Sequence, residues 1–272
     1  MKTILVATDF SEASFNAAAY AVNMALIIDS KIMLLHIIQI PMMYGEVPVT
    51  FSIEDINKTA VQKIKEFKER LLMTAKQALH INTQINVGIF IHELKTVCED
   101  IQPHFVVVGN QGRTAAERAL FGSHTIQAIK TLVWPVISVP ADVSFSSVKK
   151  IGLASDFRKI LDTTPVNEIK ILVNEFKAEL HILNIGNKSS YDPDTIFESG
   201  ILQELFYELK PIYHIINADN TDNSILDFAE KNKIDLLIVV PKRYNLVDAM
   251  MHKSHTKQIV LHGHVAIFSL HH

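Results

Sequence analysis

Cysteine is nearly absent: one residue, Cys98, in a chain of 272. A single thiol excludes an intrachain disulfide and a cysteine-only zinc site. Its setting, the helix-like stretch Glu93 to Ile101, reads as a place for a buried structural thiol. An excess of charge of one sign is lacking too. Lys and Arg total 26 against 29 Asp and Glu, a formal net charge of -3. That balance generates no global basic field, so nucleic acid is not an expected partner. Long apolar runs are missing: none approaches the roughly 20 residues of a membrane span. Met1 to Val6 leads directly into a strand, without the basic region and cleavage site of a secretory leader. The expected compartment is therefore the cytoplasm, with no membrane partner. Histidine is plentiful at 13 residues, but its spacing is not that of a metal site. His252 and His255 stand three apart, His262 and His264 two apart, and no His-Glu-x-x-His occurs, so no metal ligands are assigned.

What is present is apolar residue in quantity, 48% of the chain, enough for two cores of ordinary size. In the first half, strands are expected at Thr3–Thr8, Lys31–Ile38, Gln84–Ile89, Phe105–Val108 and Val136–Val139. Helices are expected at Ser14–Ile28, Ile53–Leu79, Glu93–Ile101 and Thr125–Thr131. Ala17, Ala18, Ala21, Met24 and Ala25 recur at helical spacing and would let their helix lie close to a sheet. Such alternation implies an α/β fold, a parallel sheet wrapped by helices through right-handed crossovers. Ligands of doubly wound sheets gather at the carboxyl ends of strands. Asp9, Ile37 and Gly109 all stand just past strand ends and can converge there.

Glycine is scarce, nine residues in all, which makes its clustering informative. Gly109-Asn-Gln-Gly112 follows the apolar strand Phe105 to Val108, and Gly122-Ser123-His124-Thr125 follows nine residues later. Two glycines at a strand end permit a tight turn and close approach of backbone to a ligand. Their amides can form a concave nest for an anion. The Gly122-Ser123 pair stands before an apolar-periodic stretch, at a helix N-terminus suited to phosphate. The spacing is neither the phosphate loop with Gly-Lys-Ser/Thr nor the dinucleotide fingerprint.

The pattern Gly-x2-Gly-x9-Gly-Ser resembles the nucleotide-binding signature of the universal stress protein family. The opening Lys2-Thr-Ile-Leu-Val-Ala-Thr-Asp9-Phe-Ser-Glu12 and the strand end Leu34-Leu-His36-Ile37 match that family as well. The resemblance is close over the first 140 or so residues and holds in outline beyond. It implies a Rossmann-like domain of the adenine nucleotide alpha hydrolase-like type. ATP, accompanied by Mg²⁺, is the implied ligand, with other adenine nucleotides as alternatives. The implied contacts are Ala7, Thr8, Asp9 and Ile37 for base and ribose. Gly109, Gln111, Gly112, Arg113, Gly122, Ser123 and Thr125 are implied for the polyphosphate side, and Val108 and His124 are implied as further contacts of the nucleotide. From the residues themselves, Asp9 could equally be a helix N-cap or an Asx turn. Ile37 could be an ordinary core residue, and Ser123 and Thr125 could be helix caps.

The second half repeats the first. Ile4-Leu-Val-Ala-Thr-Asp9-Phe10 corresponds to Ile151-Gly-Leu-Ala-Ser-Asp156-Phe157, and Met33 to Ile37 corresponds to His181 to Ile185. Ser123-His-Thr125 corresponds to Ser254-His-Thr256. Phe105 to Val108 corresponds to Leu236 to Val239, with a shift of one expected when the glycine is the anchor. The period is that of a duplicated domain. The domains are expected at 1–143 and 148–272. The clamp is lost from the second: Val240, Arg243 and Lys253 replace Gly109, Gly112 and Gly122. One nucleotide, in the first domain, is therefore expected. By family resemblance the last strands, Pro135–Val139 and Val265–Leu270, would pair within the chain as an intrachain pseudo-dimer. A homodimer of chains and an unidentified protein partner are further expectations. No catalytic residues are assigned, since neither a phosphate-loop lysine nor a second acidic residue in a Mg²⁺ arrangement is evident. The alternatives are a slow ATP hydrolase and a nucleotide-free interaction module.

Overall fold

The architecture comes from a computed structural model that describes residues 1–39, 53–75, 79–110, 124–185, 193–216, 221–241 and 255–271. Among the described residues, ten strands form one sheet. The first five are β1 (Lys2–Thr8), β2 (Ser30–Ile38), β3 (Ile81–Val87), β4 (Phe105–Asn110) and β5 (Val136–Pro140). The second five are β6 (Lys150–Ala154), β7 (Glu179–Ile185), β8 (Ile212–Ile216), β9 (Leu236–Val239) and β10 (Ala266–Ser269). Their spatial order is β3-β2-β1-β4-β5-β10-β9-β6-β7-β8. Each half thus has the same doubly wound order, parallel throughout, and the two halves meet where β5 and β10 pair antiparallel. The central strands β1 and β4 read as continuous apolar runs because helices cover both of their faces. The two edge strands, β3 and β8, are only partly buried, as their mixed sequences dictate.

The first-half helices are α1 (Glu12–Ile27), α2 (Ile53–Thr74), α3 (Phe90–Ile101) and α4, over 124–131. Those of the second half are α5 (Ile160–Thr163), α6 (Val166–Phe176), α7 (Pro193–Leu205), α8 (Thr221–Lys231) and α9 (His255–His262). Helix α1 starts two residues before its expected Ser14 because Ser11 is its N-cap: the Ser11 hydroxyl oxygen accepts from the Ser14 N–H at 3.2 Å. Glu12 in the first turn complements the helix dipole. Helix α2 stops at Thr74, short of Leu79, where the Thr74 hydroxyl donates to the Leu71 carbonyl. Helix α3 begins three residues before its expected Glu93, and β3 lies three residues earlier at its start than Gln84.

The duplication is visible atom by atom. The Phe10 N–H donates to Thr8 Oγ1, and the Phe157 N–H to Ser155 Oγ. Both phenylalanines have left-handed backbones, φ 66° and 52°. His36 Nδ1 donates to the Thr8 carbonyl, and Asn184 Nδ2 to the Ser155 carbonyl. The register agrees with the expected correspondence of Phe105–Val108 with Leu236–Val239. Ile4 pairs with Phe105 and Ile151 with Leu236, so β4 and β9 correspond without the one-residue shift.

Two apolar cores, one on each face of the sheet, each contain residues of both halves. At the seam, Phe105 meets Phe268 edge-on at 5.8 Å. Glu175 of α6 accepts from Lys2 Nζ and from His104 Nε2, tying the second half to the start of β1 and the start of β4. The connection 141–149 is held as well: Asn16 donates to the carbonyls of Pro140 and Val143, and Phe145 packs edge-on against Tyr20. Cys98 is fully buried, and burial pushes its thiol up to about 12, so it is not a reactive thiolate. No helix among the described residues is long and apolar enough to cross a membrane.

Candidate functional site

The carboxyl ends of β1, β2 and β4 open into a cleft of about 190 Å³. Its floor follows from register. Leu35, Ala7 and Val108 lie side by side on three adjacent parallel strands. Ile37 follows Leu35 by two residues and so faces the same side. Together they give an apolar surface that matches a flat aromatic ligand.

The rim is polar and ordered by short-range bonds. Beyond β1 the chain turns at Phe10, whose ring stacks on His36 at 4.1 Å between centroids. Asp9 Oδ1 accepts from the Ser11 N–H at 3.0 Å and from the Ser11 hydroxyl at 2.5 Å. This is an Asx turn, and the N-cap is Ser11. Asp9 is therefore not itself the cap. Partial burial opposes ionisation of Asp9, but the bonds from Ser11 outweigh it and hold the carboxyl below its ordinary range. At neutral pH the cleft carries an exposed carboxylate on its rim. Thr8 and Ser14, both buried, share a hydroxyl–hydroxyl bond of 2.9 Å just beneath it.

On the opposite side stands α4. His124 lies flat on Phe90 at 4.4 Å and approaches Gln39 at 3.4 Å. Burial pushes the His124 imidazole down, with Asp9 acting weakly the other way. Thr125 is buried, and its hydroxyl donates to the Gly109 carbonyl at 3.2 Å, fastening α4 to the end of β4. Gly109 has a packing role of its own. A Cβ there would stand 2.8 Å from the Ala13 carbonyl oxygen, so only glycine lets the first turn of α1 lie this close to β4.

The cleft is thus lined by Ala7, Thr8, Asp9, Ile37, Val108, Gly109, His124 and Thr125, eight sequence-expected residues brought together from four separate segments. Gln111, Gly112, Arg113, Gly122 and Ser123 lie outside the described residues. No group of His, Cys, Asp or Glu among the described residues is arranged to hold a metal ion.

The family model described as "Universal stress protein family" matches residues 1–140, the part of the chain that builds this cleft. The chain belongs to the universal stress protein family. Two universal stress proteins of Methanocaldococcus jannaschii are similar to it. One is 27% identical over 139 residues, covering 51% of this chain and 81% of its own length. The other is 26% identical over 152 residues, covering 51% of this chain and 94% of its own. A crystal structure of a universal stress protein from Archaeoglobus fulgidus is similar in fold along nearly the whole chain. Its TM-score is 0.74 at 19% identity, covering 99% of this chain and 96% of that one.

Membership in the universal stress protein family does not by itself account for Ser11, Ala13, Ser14, Leu35, Gln39 and Phe90, which also line the cleft and which sequence reasoning missed. Leu35 was findable, since strand alternation puts it on the face of Ile37. Ser11 was findable too, as a serine directly before a helix with Glu12 in its first turn. Phe90 had no local signal. It reaches the cleft because α3 begins earlier than its apolar periodicity suggests.

Proposed function

We propose that the first half of this universal stress protein, residues 1–143, binds one adenine nucleotide, with ATP as the physiological ligand, and that 148–272 is a second domain without such a site. The observation that carries this reading is the convergence on one cleft of an apolar floor, an ionised Asp9 and the strand end bearing Gly109. The adenine ring lies on Ala7, Ile37 and Val108. Asp9 accepts from a ribose hydroxyl, while backbone amides near Thr8 and Ile37 read the edge of the base. The phosphates extend toward α4, where the remaining glycines of the Gly-x2-Gly-x9-Gly-Ser pattern and Ser123 form the nest that the family resemblance implies. The family resemblance implies Gln111 and Arg113 as further contacts of the phosphates. A Mg²⁺ ion would ride on the phosphates, since the described residues offer only Asp9 as a nearby carboxylate.

The role is binding and signalling in a stress response rather than turnover. A phosphate-transfer enzyme needs a positioned base and concentrated positive charge at the transferred group. The described cleft presents one carboxylate committed to Ser11 and one histidine stacked on Phe90. Bound ATP should therefore release phosphate far more slowly than the roughly 1–10³ s⁻¹ of ordinary enzymes. Mass spectrometry of small molecules released from purified, denatured protein tests the reading. ATP or a related adenine nucleotide is the expected finding. A protein that carries none and shows no thermal shift with added ATP would instead be a nucleotide-free interaction module.

A further inference from the structure

Gly109 and Asn110 are consecutive residues at the end of β4, and they are bonded to different halves of the molecule. The Gly109 carbonyl receives the Thr125 hydroxyl of α4. The Asn110 side chain crosses the seam instead: its Nδ2 donates to the main-chain carbonyl of Val260 in α9, at 2.5 Å. Asn110 is 5% exposed and Val260 is fully buried, so water does not compete for this bond. Val260 is among the last four residues of α9, whose carbonyls have no partner within the helix. The C-terminal turn of the second half's last helix is therefore capped by a residue adjoining the first glycine of the candidate nucleotide site.

The bond has no mirror image. By the correspondence of the two halves, Gly109 matches Val240, Asn110 matches Pro241, and Val260 matches Ile129. Proline has neither a side-chain donor nor a backbone N–H, so Pro241 cannot cap α4 as Asn110 caps α9. A duplicated domain that needed the contact only to glue its halves together would be served equally well by the symmetric pair. The one-sided version connects the half with the glycines to the half without them.

We infer that Asn110 is a positioning residue that couples the two halves: α9 fixes the end of β4 at Gly109, and a nucleotide seated at that end in turn stabilises α9. This rests on the nucleotide-binding reading above. It gives the second half a task, that of setting the affinity of the first half and reporting its occupancy. Linkage makes the effect reciprocal, so whatever α9 contributes to nucleotide affinity, the nucleotide returns to α9.

Hydrogen–deuterium exchange of the full chain, with and without ATP, tests it. With ATP, slower exchange is expected at the β1–α1 turn and also in α9, residues 255–262. In Asn110→Leu, an apolar near-isostere, ATP should still slow exchange at the β1–α1 turn but no longer in α9. Its affinity should drop by about fivefold to a hundredfold, the ordinary span of such coupling. Asn110→Gln, which keeps the donor, should restore part of both effects. Should Asn110→Leu not fold, the wild-type measurement still decides. Protection at the β1–α1 turn with none in α9 overturns the coupling and leaves the nucleotide site standing. Absence of any ATP effect in either place overturns the nucleotide reading and the coupling with it.

Discussion

At the residue scale, the cleft is built from side chains that have a structural task as well as a place in the site. Gly109 shows this most clearly. Its missing Cβ makes room for Ala13, so Gly109→Ala should force β4 and α1 apart. A loss of about 1–3 kcal/mol is expected from such overpacking, read by denaturant unfolding. If stability is unchanged while nucleotide affinity collapses, the glycine serves the ligand alone. Asp9 is the complementary case. Asp9→Ala removes both bonds from Ser11 and the proposed ribose acceptor. Titration calorimetry should show affinity lower by about tenfold or more, one hydrogen bond of about 1.4 kcal/mol. Undiminished affinity in the folded variant would remove Asp9 from the site. These dual roles explain what the sequence disclosed and what it hid. Asp9, Ile37 and Gly109 were legible because strand ends in a parallel sheet must converge. The packing of Gly109 on Ala13 was not, because it depends on how close α1 lies. Phe90 escaped because its position is set by where α3 begins.

At the scale of elements, strands and helices of the first half follow from hydrophobic periodicity and differ from it mainly at their ends. Ends are decided by single bonds that periodicity does not register, such as the Ser11 cap of α1. Ser11→Ala should cost about 1 kcal/mol in unfolding free energy. No change would mean that Asp9 and Thr8 hold the turn without it. Between elements, Glu175 is the clearest electrostatic tie. Partial burial alone would raise its pKa, but the bonds from His104 and Lys2 prevail and hold it below the ordinary 4.5. The sign follows directly. A carboxylate depressed on folding contributes stability above its unfolded pKa and loses it as pH falls through the folded value. Glu175→Gln should therefore be less stable than the wild type at pH 7. The gap should close progressively below about pH 4.5 in urea unfolding. A gap that persists unchanged at pH 3 would assign the effect to packing. Nothing in the sequence announced this contact, since its partners are separated by 173 and 71 residues.

At the scale of the whole molecule, duplication is the organising fact. The repeated strand order and the paired turns at Phe10 and Phe157 show how far the two halves still agree. They part at the glycines, where Val240 occupies the place of Gly109 and packs against the core. That divergence was readable from the aligned halves. The seam was readable only as an expectation for the last strands, because pairing of β5 with β10 is a long-range choice. Joining the halves there leaves β3 and β8 as the free edges of the sheet and covers the edges that each half would otherwise expose. The central claim, one nucleotide per chain in the first half, is tested most directly by calorimetric titration of the full chain with ATP. A stoichiometry near one is expected, and Asp9→Ala should titrate with affinity lower by about tenfold or more. A stoichiometry near two, or heat that survives Asp9→Ala unchanged, would contradict it.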